Sequence, residues 1–268
     1  MKWEELTSAK FAEAVKATGV CLVAMGVVEK HSDHLPLGTD FLNGHALATL
    51  AAQREPAVVF PHFYFGQIFE ARCFPGTVTL PPTLLIQLIQ SVLNEIRRNG
   101  FRKVILVNAH GGNTQMLDFL AQCTLAAESD LAVYVHKSSR SEEFRSAWES
   151  IVETPVHGHA CECETSITLA NFPELVDMDA VPEKPANPLG RAGHLGSGFT
   201  GASWYANYPD HYAGDARSAT PEKGRQLREL QVADLVQFIA AVKADEAIPG
   251  LQAEFFQRVR GIADGEQG

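Results

Sequence analysis

No apolar run in this chain approaches the roughly 20 residues that a bilayer-spanning helix needs, so a helical membrane protein is not expected. The N-terminal MKWEELTSAKFAEAVKATG carries acids within its first five residues and a helical pattern. It lacks the apolar centre of a signal peptide, so secretion is not expected either. Cysteine is sparse and odd in number: Cys21, Cys73, Cys123, Cys161 and Cys163 are scattered without a pairing pattern. Thiols in a reducing compartment fit this better than a disulfide framework, and the expected address is the cytoplasm. Basic charge is also short, with 22 Lys and Arg against 32 Asp and Glu and a net charge of −10. An acidic surface argues against nucleic acid or an anionic membrane as the main partner.

Two common catalytic signatures are missing as well. No G-x-S-x-G elbow of a serine hydrolase occurs. Gly196-Ser-Gly-Phe-Thr-Gly201 matches G-x-G-x-x-G, but the preceding NPLGRAGHL is no strand and no helical pattern opens directly after it. A dinucleotide-binding dehydrogenase is therefore not expected.

What the chain does have is a dense cluster from Glu29 to Asp40, EKHSDHLPLGTD. Three carboxylates and two imidazoles fall within twelve residues, directly after the apolar run Val20–Val28. That run is short, continuous and rich in β-branched residues, as a buried strand should be. Glu29 and His31 are two apart and project to one side of an extended backbone. Asp40 precedes an apolar helical pattern, where it would also serve as an N-cap. Ligand sites in open α/β sheets are built at such strand ends.

The surrounding pattern supports that architecture. Helices are expected over 7–17, 41–54, 84–99, about 114–128 and 221–243, and strands over 20–28, 57–60, 103–107 and 131–135. Their alternation predicts a three-layer α/β/α fold with a mostly parallel sheet. At 268 residues and 46% hydrophobic, without a repeat or a low-complexity linker, one domain over 1–268 is expected. The aromatic connection 61–76 is long enough to suggest a role of its own.

Two further clusters stand out. Asn108-Ala-His-Gly-Gly-Asn113 places His110 at the end of a buried strand, with glycines that allow close approach. His157-Gly-His-Ala-Cys-Glu-Cys-Glu-Thr-Ser166 leads into an apolar stretch. A helix starting there would put His159 and Glu162 on one face and point Glu164 away. Both acids also suit a helix first turn, facing the macrodipole. Cys161-x-Cys163 lacks a second thiol pair at zinc-site spacing, so packing is the expected role of both cysteines.

Taken in order, the Glu29–Asp40 motif, Phe74-Pro-Gly-Thr77, Asn108–Asn113, His159–Ser166 and Gly214–Gly224 resemble the creatininase family of metal-dependent amidohydrolases. The similarity spans about 20–225. It implies two divalent ions, one held by Glu29, Asp40 and His110 and the other by His31, Asp40 and a further carboxylate. Asp40 would bridge, and His159 matches the family's histidine beside the substrate, a proton donor. Oxygen and imidazole donors suit zinc, manganese or iron(II). Three carboxylates and two divalent ions leave a charge of +1, which one bridging hydroxide balances as nucleophile. The resemblance also implies a homo-oligomer, often a hexamer, acting on a small-molecule amide. A non-catalytic metal-binding or regulatory protein is the alternative, and His159 discriminates, because a binding module needs no proton donor.

Two departures matter. Gly111-Gly112 stands where creatinine-hydrolysing members carry a Tyr-Glu pair whose glutamate binds the second metal. Glu162 is therefore the candidate for that ligand, and a cyclic, formyl or peptide-like amide bulkier than creatinine is the expected substrate. Cys161 replaces the usual glycine of His-Ala-Gly-Glu, and is expected close to the metals.

Overall fold

A left-handed cap separates the first two elements. In the computed structural model, which describes residues 1–139 and 141–263, helix α1 (Ser8–Thr18) ends on Gly19 at φ 67°. Strand β1 (Val20–Met25) follows at once, then α2 (Thr39–Arg54), β2 (Val58–Val59), α3 (Pro82–Arg98), β3 (Lys103–Asn108), α4 (Thr114–Cys123) and β4 (Ala132–His136). The four strands form one parallel sheet in the order β2-β1-β3-β4.

Period-2 alternation decides which side chain faces which layer. Cys21, Val23, Met25, Val104 and Leu106 enter a core with residues of α1, α3 and α4. Val20, Leu22, Ala24, Ile105 and Val107 face the opposite way, against α2 and a long helix, α8 (Pro221–Ala244). Each fully buried aliphatic side chain contributes about 1.5–3 kcal/mol, and both faces of the central strands are used. The expected three-layer α/β/α architecture is the one observed.

Before α8 come α5 (Glu142–Ile151), β5 (His157–His159), α6 (Glu162–Asn171), α7 (Ser203–Asn207) and β6 (Ala213–Gly214). β5 and β6 pair antiparallel as a separate two-stranded sheet. Helix α9 (Ala247–Ala263) then follows α8. Gln252 of α9 donates to the carbonyls of Ser129 and Leu131, beside the sheet-edge strand β4.

Several expected bounds shift. β1 stops at Met25 instead of Val28, and β2 is two residues long. The helix at 221 is not the last, because α9 follows it, and α5 lies where no helix is expected. Gly196–Gly201 follows a 3₁₀ turn with no strand before it, which excludes the dinucleotide motif, although the five-residue α7 opens just after it at Ser203, where no helix is expected. Among the described residues no helix is long and apolar enough to cross a membrane.

What positions the site is the direction change in the sheet. From β1 the chain moves outward to β2, then returns to place β3 on the other side of β1. The carboxyl ends of β1 and β3 flank the crevice that such a reversal opens. Glu29 and His31 follow β1, and His110 follows β3.

Candidate metal centre

Three segments are tied together before any functional side chain is placed. Asn113 is fully buried. Its Nδ2 donates to the carbonyl of Met25 at the end of β1, and its Oδ1 accepts from the backbone N–H of Gln67. The Gln67 carbonyl in turn accepts from Nε2 of His110 at 3.0 Å. Part of the 61–76 connection thus acts as a buttress for the site, while Phe63 and Phe65 pack into the core.

That bond fixes the His110 ring. With Nε2–H donated to a carbonyl, Nδ1 of a neutral imidazole presents its lone pair. It faces Glu29 Oε1 and Asp40 Oδ2, each 2.9 Å away. Both oxygens are buried and neither has a hydrogen-bond partner. His31 repeats the arrangement: Nδ1 donates to the Glu29 carbonyl, and Nε2 lies 3.1 Å from Asp40 Oδ1. Metal-binding histidines are oriented in this way, by donating the other ring N–H to a carbonyl.

Without a cation, protons must fill the gaps. Burial pulls the His31 imidazole down, but Asp40 beside it outweighs burial and raises it to about 9. Burial likewise opposes protonation of His110, yet Glu29 and Asp40 raise it well above the ordinary imidazole range. Glu29 is held well below the usual carboxylate range, against burial, chiefly by His110. Burial lifts the Glu164 carboxyl to about 8.

The donor atoms form groups with metal-like spacing, all within 4.8 Å of one another: Glu29, Asp40 and His110; and His31, Asp40 and Glu164. Asp40 belongs to both. Glu29, His31 and His159 form another such group. However, Nε2 of His159, 3.9 Å from Glu29, donates to the Lys30 carbonyl at 2.7 Å and has no lone pair to offer. Burial, then His31, pushes the His159 imidazole down to about 3, so it stays neutral.

The structure does not bring Glu162 to this cluster. Helix α6 starts at Glu162, so His159 precedes it in β5, and Ala160 at φ 52° breaks any shared helical face. Glu162 instead accepts from the backbone N–H groups of Glu153 and Thr154, the Thr154 hydroxyl and Lys223. Glu164, third in the helix, accepts from the N–H of Ala160, the residue before the N-cap Cys161, and faces His31 and Asp40. Cys161, expected close to the metals, packs beside the cluster among Cys163, Ile167 and Leu227, and is not one of its oxygen and imidazole donors.

Sequence reasoning missed His211. It is buried, sits at φ 56°, donates from Nε2 to Glu29 Oε2 at 2.6 Å and accepts at Nδ1 from the indole N–H of Trp204. Nothing in its local sequence signals this, because Glu29 is 182 positions away.

A cavity of about 590 Å³ opens on the cluster, lined by Glu29, His110, Gly111, His159, Glu164 and Trp204 among others. A smaller one of about 390 Å³ touches Asp40, His110 and Glu164 from the α2 side, but reaches neither His159 nor Glu29. The larger is the better substrate space. Tyr205 does not line it and is exposed.

The chain is 28% identical over 205 residues to creatinine amidohydrolase of Pseudomonas putida, covering 68% of this chain and 75% of that protein. It is 26% identical over 231 residues to a mycofactocin precursor peptide peptidase of Mycobacterium ulcerans (strain Agy99), covering 82% and 84%. Two solved structures, a mutant creatininase of Zn-Zn type and a Mn creatininase, superpose with TM-scores of 0.73 and 0.72. Each is 24% identical and covers 89% of this chain and 96% of its own, a likeness of fold. The family profile described as creatinine amidohydrolase matches residues 4–239, and this chain belongs to the creatininase family.

Proposed function

We propose that this chain is a metal-dependent amidohydrolase that cleaves a C–N bond in an N-formyl or peptide-like substrate, with two divalent ions, zinc or manganese. One observation carries the metal reading. Two buried carboxylate oxygens, Glu29 Oε1 and Asp40 Oδ2, lack hydrogen bonds and converge on an imidazole nitrogen whose ring is locked from behind by Gln67. Three lone-pair donors aimed at one point fit a cation. The oxygen and imidazole donors suit zinc or manganese. Glu29, Asp40 and His110 would hold one ion, and His31, Asp40 and Glu164 the other. Bound there, the ions supply Lewis-acid polarisation of the amide carbonyl and acidify water.

The chain's own residues supply the rest. His159 lines the cavity with Nε2 engaged by the Lys30 carbonyl, which leaves Nδ1 as the ring atom that would pass a proton to the departing nitrogen. His211 holds Glu29 in place from the cavity side. Relatives named for creatinine and for a peptide leave the substrate class open, and the cavity supports the larger choice. About 590 Å³ is within the range of sites for drug-sized ligands, and Gly111 puts no side chain into it.

The test is to strip the protein with chelator, reload zinc or manganese, and measure kcat/KM on creatinine, N-formyl amino acids and short peptides. Chelation should lower Tm and reloading should restore it. Peptide-like amides should exceed creatinine. His159→Ala should keep its metal and lose about 10²–10⁴ in turnover. Absence of hydrolysis of every amide with metal replete overturns the enzymatic reading, and efficient creatinine turnover overturns the substrate assignment.

A further inference from the structure

A second donor cluster, of different chemistry, lies beside the first. Cys161 and Cys163 are 2% and 5% exposed within an apolar cluster that includes Ile167 and Leu227, while His157 stands at the surface. One ligand atom from each of the three lies within 4.8 Å of the others. Sγ of Cys163 is 3.5 Å from Nδ1 of His157. A tetrahedral zinc with Zn–S near 2.3 Å and Zn–N near 2.0 Å separates sulfur from nitrogen by about 3.5 Å. Two thiolates with an imidazole select zinc over the hard ions magnesium, calcium and manganese.

We propose that His157, Cys161 and Cys163 bind one Zn²⁺ ion, with the fourth position open to solvent on the His157 side. Binding releases the two thiol protons and spans β5 and the first turn of α6. Between them lies Ala160 at φ 52°, a left-handed conformation that strains a non-glycine residue. The ion clasps the two elements across this kink. His159 on β5 and Glu164 on α6 are held by the same two elements, so the three ligands act as positioning residues for the neighbouring site. No ligand is shared with the Glu29, Asp40, His110 and His31, Asp40, Glu164 groups. A cysteine–histidine hydrogen bond without metal is the competing account of the short contact.

Cobalt(II) separates the two, because only thiolate ligands give an intense near-ultraviolet sulfur-to-cobalt charge-transfer band. The fully reduced protein loaded with Co²⁺ should show that band. It should persist in Asp40→Ala, which removes the shared carboxylate of the oxygen and imidazole groups, and in Cys73→Ser. Cys161→Ser and Cys163→Ser should each abolish it. His157→Ala, a change at the surface, should release the cobalt at lower chelator concentration, and this stands even if the serine variants do not fold. A reduced native protein without the band, a band lost in Asp40→Ala, or retention unchanged in His157→Ala overturns the proposal. A silent oxygen and imidazole centre beside an intact thiolate band would count against the proposed catalysis alone.

Discussion

Nε2 of His211 lies 2.6 Å from Oε2 of Glu29, and the two residues come from opposite ends of the family-matched region. The tautomer is determined, because Nδ1 of the same ring accepts from Trp204. His211 therefore has no ring lone pair left to offer a cation, and supports a candidate ligand from the cavity side. Partners of this kind typically change metal affinity by about 10–100-fold. His211→Ala should weaken zinc binding by that factor with the fold intact, and Trp204→Phe should weaken it less. Competition titration against a chromophoric chelator measures both, and equal affinities for native and His211→Ala protein would remove His211 from the site.

Glu162 and Glu164 sit two positions apart in opposite surroundings. Glu162 is fully buried among backbone N–H groups, the Thr154 hydroxyl and Lys223. Those donors hold its carboxyl below the usual range despite burial. Glu162→Gln should keep the full metal complement and lose about 1.5–3 kcal/mol of stability, the scale of hydrogen bonds to a charged group. Glu164→Gln should do the reverse, losing one of the two ions at little cost in folding. Elemental analysis alongside urea denaturation distinguishes them. One metal lost from Glu162→Gln and none from Glu164→Gln would restore the expectation drawn from sequence.

Glu29, His31, Asp40 and His110 were legible as candidates because each lies close to a strand end or helix start that hydrophobic periodicity marks to within a few residues. The Glu162 expectation assumed that a helix already covers His159. A positive φ at Ala160 is invisible in the sequence, and moving the helix start to Glu162 re-aims both acids. His211 depends on long-range closure of the 183–220 segment, where no period exists to read. Helix α9 was hidden for a local reason: Pro249 and Gly250 look like a break, yet both lie in its first turn, where proline has no intrahelical N–H to lose.

A histidine away from the centre gives the acid response. His45 stacks on His62 with ring centroids 3.9 Å apart, and neither of its ring nitrogens has a hydrogen-bond partner. Burial first and His62 second push it down to about 4, against about 6.5 in the unfolded chain. Between those values the unfolded chain binds the proton and the folded one does not. Stability from this group is therefore complete above about pH 6.5 and is lost as pH falls through about 4. In His45→Gln the melting temperature should fall less steeply than in the native protein over that window. Parallel Tm curves would show that His45 does not titrate as described.

The two glycines after His110 make the last prediction, because they are not equivalent. A Cβ on Gly111 would meet nothing within 4 Å, whereas one on Gly112 would lie 2.6 Å from Nε2 of His110 and 3.0 Å from the Gln67 carbonyl. Of the pair expected to open the pocket, only Gly111 does so; Gly112 is small because the His110–Gln67 bond passes beside it. Gly111→Ala should leave metal affinity and turnover near native values. Gly112→Ala should push His110 off its carbonyl, weaken metal binding by about 10–100-fold and cost about 10²-fold in turnover through misplacement. Gly111→Tyr fills cavity volume without touching His110, so it should lower kcat/KM for a peptide-like amide more than for a small one. Metal titration and kcat/KM on both substrate sizes test all three. A Gly111→Tyr variant that keeps its preference for the larger amide would show that the substrate does not pack against Gly111, which lines both the 590 Å³ cavity and the 390 Å³ cavity against α2.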